Sequence, residues 1–171
     1  MSDEKYTVEE LKLLNDKVCW CFYSWCQHEI LKFSFKDKPV FIGKFLMDYY
    51  LERFFLEISE LYTYFWNRKD EVVLGKFVTT KEERLKLKVV RNQIAHLDKK
   101  GLQDKLEKIK EFIKITNPDN QIFDLITIIK HTRVLLSRVG TEHHIVNRLK
   151  EILKLYPPGF IKESVLKEML N

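Results

Sequence analysis

The sequence predicts an all-α protein, a compact helical bundle built on two long N-terminal helices. Only 5 Gly and 4 Pro occur in 171 residues, which is too few for a loop-rich or β-rich chain. Charged residues make up 32% and hydrophobic residues 45%, a balance typical of amphipathic helices. Helix caps and Gly or Pro breaks divide the chain into helix-sized segments, and the length fits one domain, residues 1–171.

The N-terminal half contains the two long helices. Thr7 and Glu10 have capping-box spacing, which predicts a first helix that runs to about Phe35. A turn is predicted at 36–39, and the dense apolar and aromatic pattern of 41–66 predicts a second helix. Aromatic residues at helical spacing favour a core over a base-stacking surface. Residues 67–79 are polar and predict a loop, with room for a short extended piece at 72–74.

The C-terminal half begins with a second capping box, formed by Thr80 and Glu83. It opens a helix whose end is predicted between 97 and Gly101. Further helices are predicted at about 102–115, 122–139, 142–155 and 160–170. Asn117-Pro118, Gly140 and Pro157-Pro158-Gly159 separate them.

Several classes of protein are disfavoured by what the sequence lacks. It contains no run of 18 apolar residues, and its acidic start lacks the pattern of a signal peptide, so we expect a cytoplasmic protein without membrane contact. Cys19, Cys21 and Cys26 stand among aromatic residues, which favours buried, reduced thiols over a metal site. No Gly-rich phosphate loop or metalloprotease motif occurs, and we predict no cofactor.

Positive charge is concentrated in one window. Residues 81–114 contain eleven Lys or Arg and six Asp or Glu, a balance of +5, while the rest of the chain has nineteen of each. Such a local field favours a polyanionic partner such as RNA. A solvated lysine-rich helix face is the structural alternative.

Within this window, residues 91–96 read Arg-Asn-Gln-Ile-Ala-His. An arginine can hold phosphoryl oxygens and a histidine can move protons near neutral pH. On one straight helix Arg91 and His96 would point about 140° apart, so the helix must end before His96 or two copies must face each other in a dimer. The same spacing recurs at Arg138 and His143, but it runs through Gly140 and is interpreted as coincidence.

The hexapeptide resembles the Arg-x4–6-His signature of HEPN domains (higher eukaryotes and prokaryotes nucleotide-binding), in which a polar residue such as Asn92 commonly follows the Arg. The resemblance covers about twenty residues and implies a small helical bundle. It implies a homodimer with a composite site, acting as a metal-independent endoribonuclease. Many such proteins are toxins or antiphage-defence effectors, which implies an antitoxin or regulatory partner. The helices from about 122 to 171 would be part of this domain or a family-specific extension.

The resemblance also implies residue roles. His96 would move protons as an RNA 2′-OH attacks the adjacent phosphate, leaving a 2′,3′-cyclic phosphate, and Arg91 would stabilise the charge on the phosphate oxygens. Asn92 would orient the imidazole or the phosphate. Flanking cations are expected to contact RNA: Lys88, Lys99 and Lys100. Where one family branch has a modifiable Tyr, this chain has Asp98. A non-catalytic module that binds nucleotide, RNA or protein is the alternative.

Overall fold

The structure, a computed structural model, describes residues 6–36, 41–95 and 118–170, and these residues form helices and turns without a strand. The all-α prediction is therefore confirmed for this part of the chain. Its helices are α1 (Val8–Ser34), α2 (Phe41–Asn67), α3 (Glu71–Leu74), α4 (Lys81–Ala95), α5 (Pro118–Ser137), α6 (Glu142–Leu153) and α7 (Glu163–Leu170). None of these helices is long and apolar enough to cross a membrane.

The two long helices α1 and α2 pack against each other along their length, as predicted. α1 begins at the expected capping box, in which the Glu10 N–H donates to Thr7 Oγ1 over 3.2 Å. The Thr7 N–H in turn donates to Glu10 Oε2 over 2.7 Å. Between the helices, Lys17 Nζ lies 2.7 Å from Oε2 of the buried Glu57. An ion pair of this kind is costly to break from one side, so it helps fix how the two helices align.

The later helices complete the same core. α5 lies against α1 and contributes Leu125, Ile128 and Ile129, all fully buried. α6 covers α1 and α5 with Ile145 and Leu149. α7 packs on α5 through the buried Met169. The residues from 118 onward thus share a core with the two long helices.

Two element predictions were wrong. The apolar run 72–74 is not extended but forms α3, because the N–H groups of Val73 and Leu74 turn back to the Asp70 carbonyl at 3.2 and 3.0 Å. Val73 is buried, so the core favours this turn over the strand propensity of its residues. α5 starts at Pro118 instead of near 122, since proline is well suited to the first position of a helix. The predicted helix 102–115 and most of the predicted turn 36–39 lie outside the described residues.

The start of α4 is fixed by its own cap and by α5. The Thr80 N–H donates to Glu83 Oε2 over 2.6 Å, and the Glu83 N–H donates to Thr80 Oγ1 over 3.2 Å, as the sequence predicts. Just upstream, the carboxylate of the buried Asp124 accepts from the Val78 N–H over 2.6 Å and from the Tyr62 hydroxyl over 2.8 Å. These bonds hold the loop before α4 against α2 and α5. Burial of Leu87 then seats α4 on α2.

Candidate functional site

One side of α4 carries a row of cations, which we call the α4 basic stripe: Lys81, Arg84, Lys88 and Arg91. Because these residues are three or four apart on a helix, their Cβ directions fall within about 80°. No ion pair joins any of the four to a described residue, whereas Lys86 on another side of the helix pairs with Glu82 at 2.9 Å. The carboxylates of α4 point away from the stripe, so its positive charge is not neutralised locally.

Arg91 and Asn92 form one hydrogen-bonded unit near the C-terminal end of the stripe. Arg91 donates to Asn92 Oδ1 from Nε over 3.2 Å and from Nη2 over 2.9 Å. The two bonds orient the planar guanidinium and leave its Nη1 as a free donor group within the described structure. Asn92 is exposed and Arg91 is partly exposed. This arrangement presents an oriented arginine to solvent, as a phosphate-binding group requires.

Of the other predicted site residues, only Lys88 lies in the part of the chain that the structure describes. Lys88 is exposed and lies on the same side of α4, about one turn before Arg91. His96, Asp98, Lys99 and Lys100 lie outside the described residues. α4 remains helical through Ala95, so no break occurs between Arg91 and the residue before His96. The described part of α4 therefore ends one residue before His96, and the placement of the imidazole stays a prediction.

An aromatic side chain borders the stripe, which sequence reasoning did not assign to the site. The Trp66 ring is 47% exposed, and Lys81 Nζ lies 4.7 Å from its centroid, a cation–π distance. Trp66 also lines a shallow cleft of about 60 Å³ together with stripe residues. Of the aromatic residues of α2, Phe54, Phe55, Tyr62 and Phe65 are buried in the core, as predicted, whereas Phe45, Tyr49 and Trp66 are exposed. Trp66 is exposed because it follows Phe65 by one position and so lies off the buried face of α2.

Arg84 differs from its neighbours because it is partly committed to the structure. Its Nη1 donates to the Thr79 carbonyl, and its guanidinium lies 5.8 Å from the Tyr62 ring centroid and 5.2 Å from that of Phe77. These contacts secure the first turn of α4 to α2. Three cations of the stripe, Lys81, Lys88 and Arg91, are therefore the ones available to a ligand.

The cysteines belong to the core, as predicted. Cys19, Cys21 and Cys26 are all buried and unpaired. Burial raises the pKa of Cys19 to about 12 and the pKa values of Cys21 and Cys26 well above the ordinary range for a thiol. Across the described ranges, no group of three His, Cys, Asp or Glu side chains is placed to hold a metal ion.

The two residues of the second Arg-x4-His match, Arg138 and His143, do not lie on one helix. Gly140, with φ of 70°, separates Arg138, which follows α5, from His143 in α6. Thr141 occupies the position before α6 but does not cap it, and its hydroxyl instead faces the Leu136 carbonyl at 3.5 Å. The His143 and His144 rings are exposed, with centroids 4.1 Å apart.

In comparisons with known proteins, no family model gave a significant match to this chain, and neither did any curated protein or solved structure.

Proposed function

We propose that this chain is a metal-independent endoribonuclease of the HEPN type, a toxin or antiphage-defence effector that cleaves RNA through the 2′-OH. The observation that carries the proposal is the Arg91–Asn92 unit. It places an oriented, partly exposed guanidinium on a helix face that is positive and free of carboxylates. Such a group stabilises the charge that builds on phosphate oxygens during attack.

The proposed reaction needs only groups that the chain itself supplies. His96 takes the proton from the ribose 2′-OH, whose oxygen forms a bond to the adjacent phosphorus. The bond from phosphorus to the 5′-oxygen breaks, and that oxygen receives the proton that His96 took from the 2′-OH. Products are a 2′,3′-cyclic phosphate and a 5′-OH. A base with a pKa near 7 suits this chemistry, and histidine provides it.

The α4 basic stripe supports RNA as the substrate. Lys81 and Lys88 continue the line of positive charge from Arg91, and Lys99 and Lys100 would extend it beyond the described residues. Phosphate contacts of this kind give affinity without sequence preference. Trp66 beside the stripe offers a ring on which an unpaired base can stack, which favours single-stranded RNA.

A homodimer is part of the proposal, because the directions of Arg91 and His96 differ on a continuous helix. With α4 helical through Ala95, a second copy supplies the simplest route to a shared site, in which Arg91 of one chain faces His96 of the other. Mixing Arg91→Ala and His96→Ala variants provides a direct check, since one intact composite site would form in the mixed dimer and restore part of the activity.

The test is cleavage of labelled single-stranded RNA in EDTA, with analysis of the product ends. We expect cyclic-phosphate ends, and a loss of about 10²–10⁴-fold for His96→Ala, the usual effect of removing a general base. Arg91→Ala should lose about 10²–10³-fold. Asn92→Ala should lose less, while Asn92→Asp, which keeps the acceptor for Arg91, should retain more activity than Asn92→Ala.

Matched controls are His143→Ala and Arg148→Ala, both on the exposed surface of α6. They should leave cleavage unchanged, and circular dichroism should show that every variant is folded. Equal cleavage by wild type and His96→Ala would refute the catalytic proposal.

A non-catalytic RNA-binding module is the second candidate, and the half-exposed Trp66 beside the stripe is the observation that favours it. It predicts salt-dependent RNA binding without any product. Binding that falls in Lys88→Ala and Trp66→Ala, together with absence of cleavage at high protein concentration, would select this candidate over the ribonuclease.

A further inference from the structure

A cleft of about 520 Å³ lies between the N-terminal segment, the turn after α2, and α5. Its volume is within the range of about 300–1,000 Å³ found for small-molecule sites. None of the residues that line it belongs to the α4 basic stripe or its border. The cleft is therefore separate from the proposed ribonuclease site, and a ligand can bind in it whether or not the chain cleaves RNA.

The polar wall of the cleft is formed by Tyr6, Asp70 and His131. Asp70 is 4% exposed, and its Oδ2 accepts from the Tyr6 hydroxyl and lies 2.9 Å from His131 Nε2. Because a carboxylate only accepts, His131 carries a proton on Nε2. Its Nδ1 is bonded to no described residue and is not enclosed, so it can exchange a hydrogen bond with a ligand.

The turn that holds Asp70 is strained, which is unusual within the described structure. Lys69 has φ of 51°, and no other non-glycine residue described there has a positive φ. The Lys69 N–H bonds to the Trp66 carbonyl and the Asp70 N–H to the Phe65 carbonyl, at 3.0 and 3.1 Å, the pattern of a Schellman motif. A lysine replaces the usual glycine in this motif at an energetic cost. The motif ends α2 and turns Asp70 toward α5.

Three cations converge on the same cleft: Lys76 after α3, Lys130 on α5 and Arg138 after α5. Lys76 and Arg138 form no ion pair with any described residue, while Lys130 Nζ lies 3.4 Å from Glu168 Oε2. Against three positive charges the lining contains one carboxylate, Asp70, whose Oδ2 already accepts two hydrogen bonds. Like charges gathered around one concave surface favour an anion with more than one negative charge.

The remaining lining is apolar. Val72 and Val134 are 60% and 52% exposed, and Leu135 is buried beneath them. Exposed valines next to cations leave apolar surface that an inorganic ion would not cover. A ligand with a hydrocarbon or aromatic body attached to its charged group would bury this surface.

We propose that this cleft binds a small organic phosphate, with Lys76, Lys130 and Arg138 around the phosphate, His131 in its imidazolium form donating to it from Nδ1–H, and Val72 and Val134 against the organic body. An arginine fork and lysine ammonium groups match the multiple oxygens of a phosphate. The two negative charges of a phosphate dianion match three neighbouring cations better than the single charge of a carboxylate does. Arg138 takes no part in the chemistry proposed for residues 91–96, and its role here is to bind the phosphate of this second ligand.

The test uses the full chain and four probes in isothermal titration calorimetry: phenyl phosphate, inorganic phosphate, benzoate and phenol. We expect phenyl phosphate to bind with one site per chain and more tightly than the other three. In the double variant Lys76→Ala/Arg138→Ala, its affinity should fall about tenfold or more, as expected for lost charge-assisted hydrogen bonds. The control double variant Lys12→Ala/Lys154→Ala removes two exposed lysines elsewhere and should bind as wild type does.

Histidine resonances in NMR spectra locate the bound probe. Addition of phenyl phosphate should shift the His131 imidazole signals and leave those of the exposed His143 unchanged. Equal weakening in both double variants would show non-specific attraction and overturn the proposal. Failure of phenyl phosphate to bind, or binding without a shift at His131, would overturn it as well.

Discussion

Arg91 and Asn92 show how neighbouring side chains prepare each other on a helix surface. Successive residues diverge by about 100° around a helix, so they seldom touch. The long arginine side chain nevertheless folds over and donates twice to Asn92 Oδ1, at 3.2 and 2.9 Å. The guanidinium is therefore already oriented before a ligand binds. Less conformational entropy is lost on binding, which improves affinity for a phosphate.

The three buried cysteines should react slowly with alkylating reagents in the folded protein. Since burial raises the pKa of all three thiols, their reactive thiolate forms are scarce at neutral pH. In the native protein at pH 8, iodoacetamide should modify Cys19, Cys21 and Cys26 far more slowly than it modifies glutathione. In denaturant all three should react at the rate of a free thiol, as counted by mass spectrometry. Rapid native modification would contradict the buried placement.

At the scale of elements, the position of α4 depends on one residue of α5. Asp124 is fully buried and accepts from the Val78 N–H, the Tyr62 hydroxyl and Thr79. It joins the loop before α4 to α2 and α5 at a single point. Without it, several buried donors would have no acceptor, and each such donor is costly.

Asp124→Ala should therefore lower the free energy of unfolding by about 3 kcal/mol or more, as measured by urea denaturation. The matched control is Asp48→Ala in α2, where the carboxylate makes no hydrogen bond or ion pair with a described residue. This control should change stability by about 0.5 kcal/mol or less. Similar losses in both variants would show that Asp124 does not anchor the loop.

At the scale of the whole molecule, the described helices are joined by one core. Buried side chains from α1, α2, α4, α5, α6 and α7 belong to a single hydrophobic cluster. Side-chain pairs that join late to early elements are Arg148 with Asp16 at the surface and the largely buried His131 with Asp70. Because α5 and α6 contact α1, and α7 packs on α5, the fold has no evident boundary at which part of it would unfold alone.

We therefore expect a single cooperative unfolding transition for the full chain. Far-ultraviolet circular dichroism, which reports helices, and tryptophan fluorescence should give the same midpoint in urea. All three tryptophans, Trp20, Trp25 and Trp66, lie in α1 and α2, so a C-terminal unit that unfolded separately would separate the two curves. Two resolved transitions would contradict the single-domain prediction.

The sequence alone determined the features that depend on near neighbours. Both capping boxes join residues three apart, so Thr7 and Glu10, and Thr80 and Glu83, identify helix starts without knowledge of the fold. The dense apolar and aromatic pattern likewise predicted the second long helix, and the aromatic neighbours of the cysteines predicted their burial. The row of cations on α4 follows from helical spacing in the same way. It could have been recognised from the sequence once the helix was predicted.

Tertiary structure decided what depends on residues distant along the chain. Asp70 meets Tyr6 and His131 although they are 64 and 61 positions away, and no local pattern marks such an encounter. The core also turned the apolar run 72–74 into α3 and left Trp66 exposed beside Lys81. The physical reason is that hydrogen bonds within one helical turn are set by sequence spacing. Contacts between elements are set by how all apolar faces are buried at once.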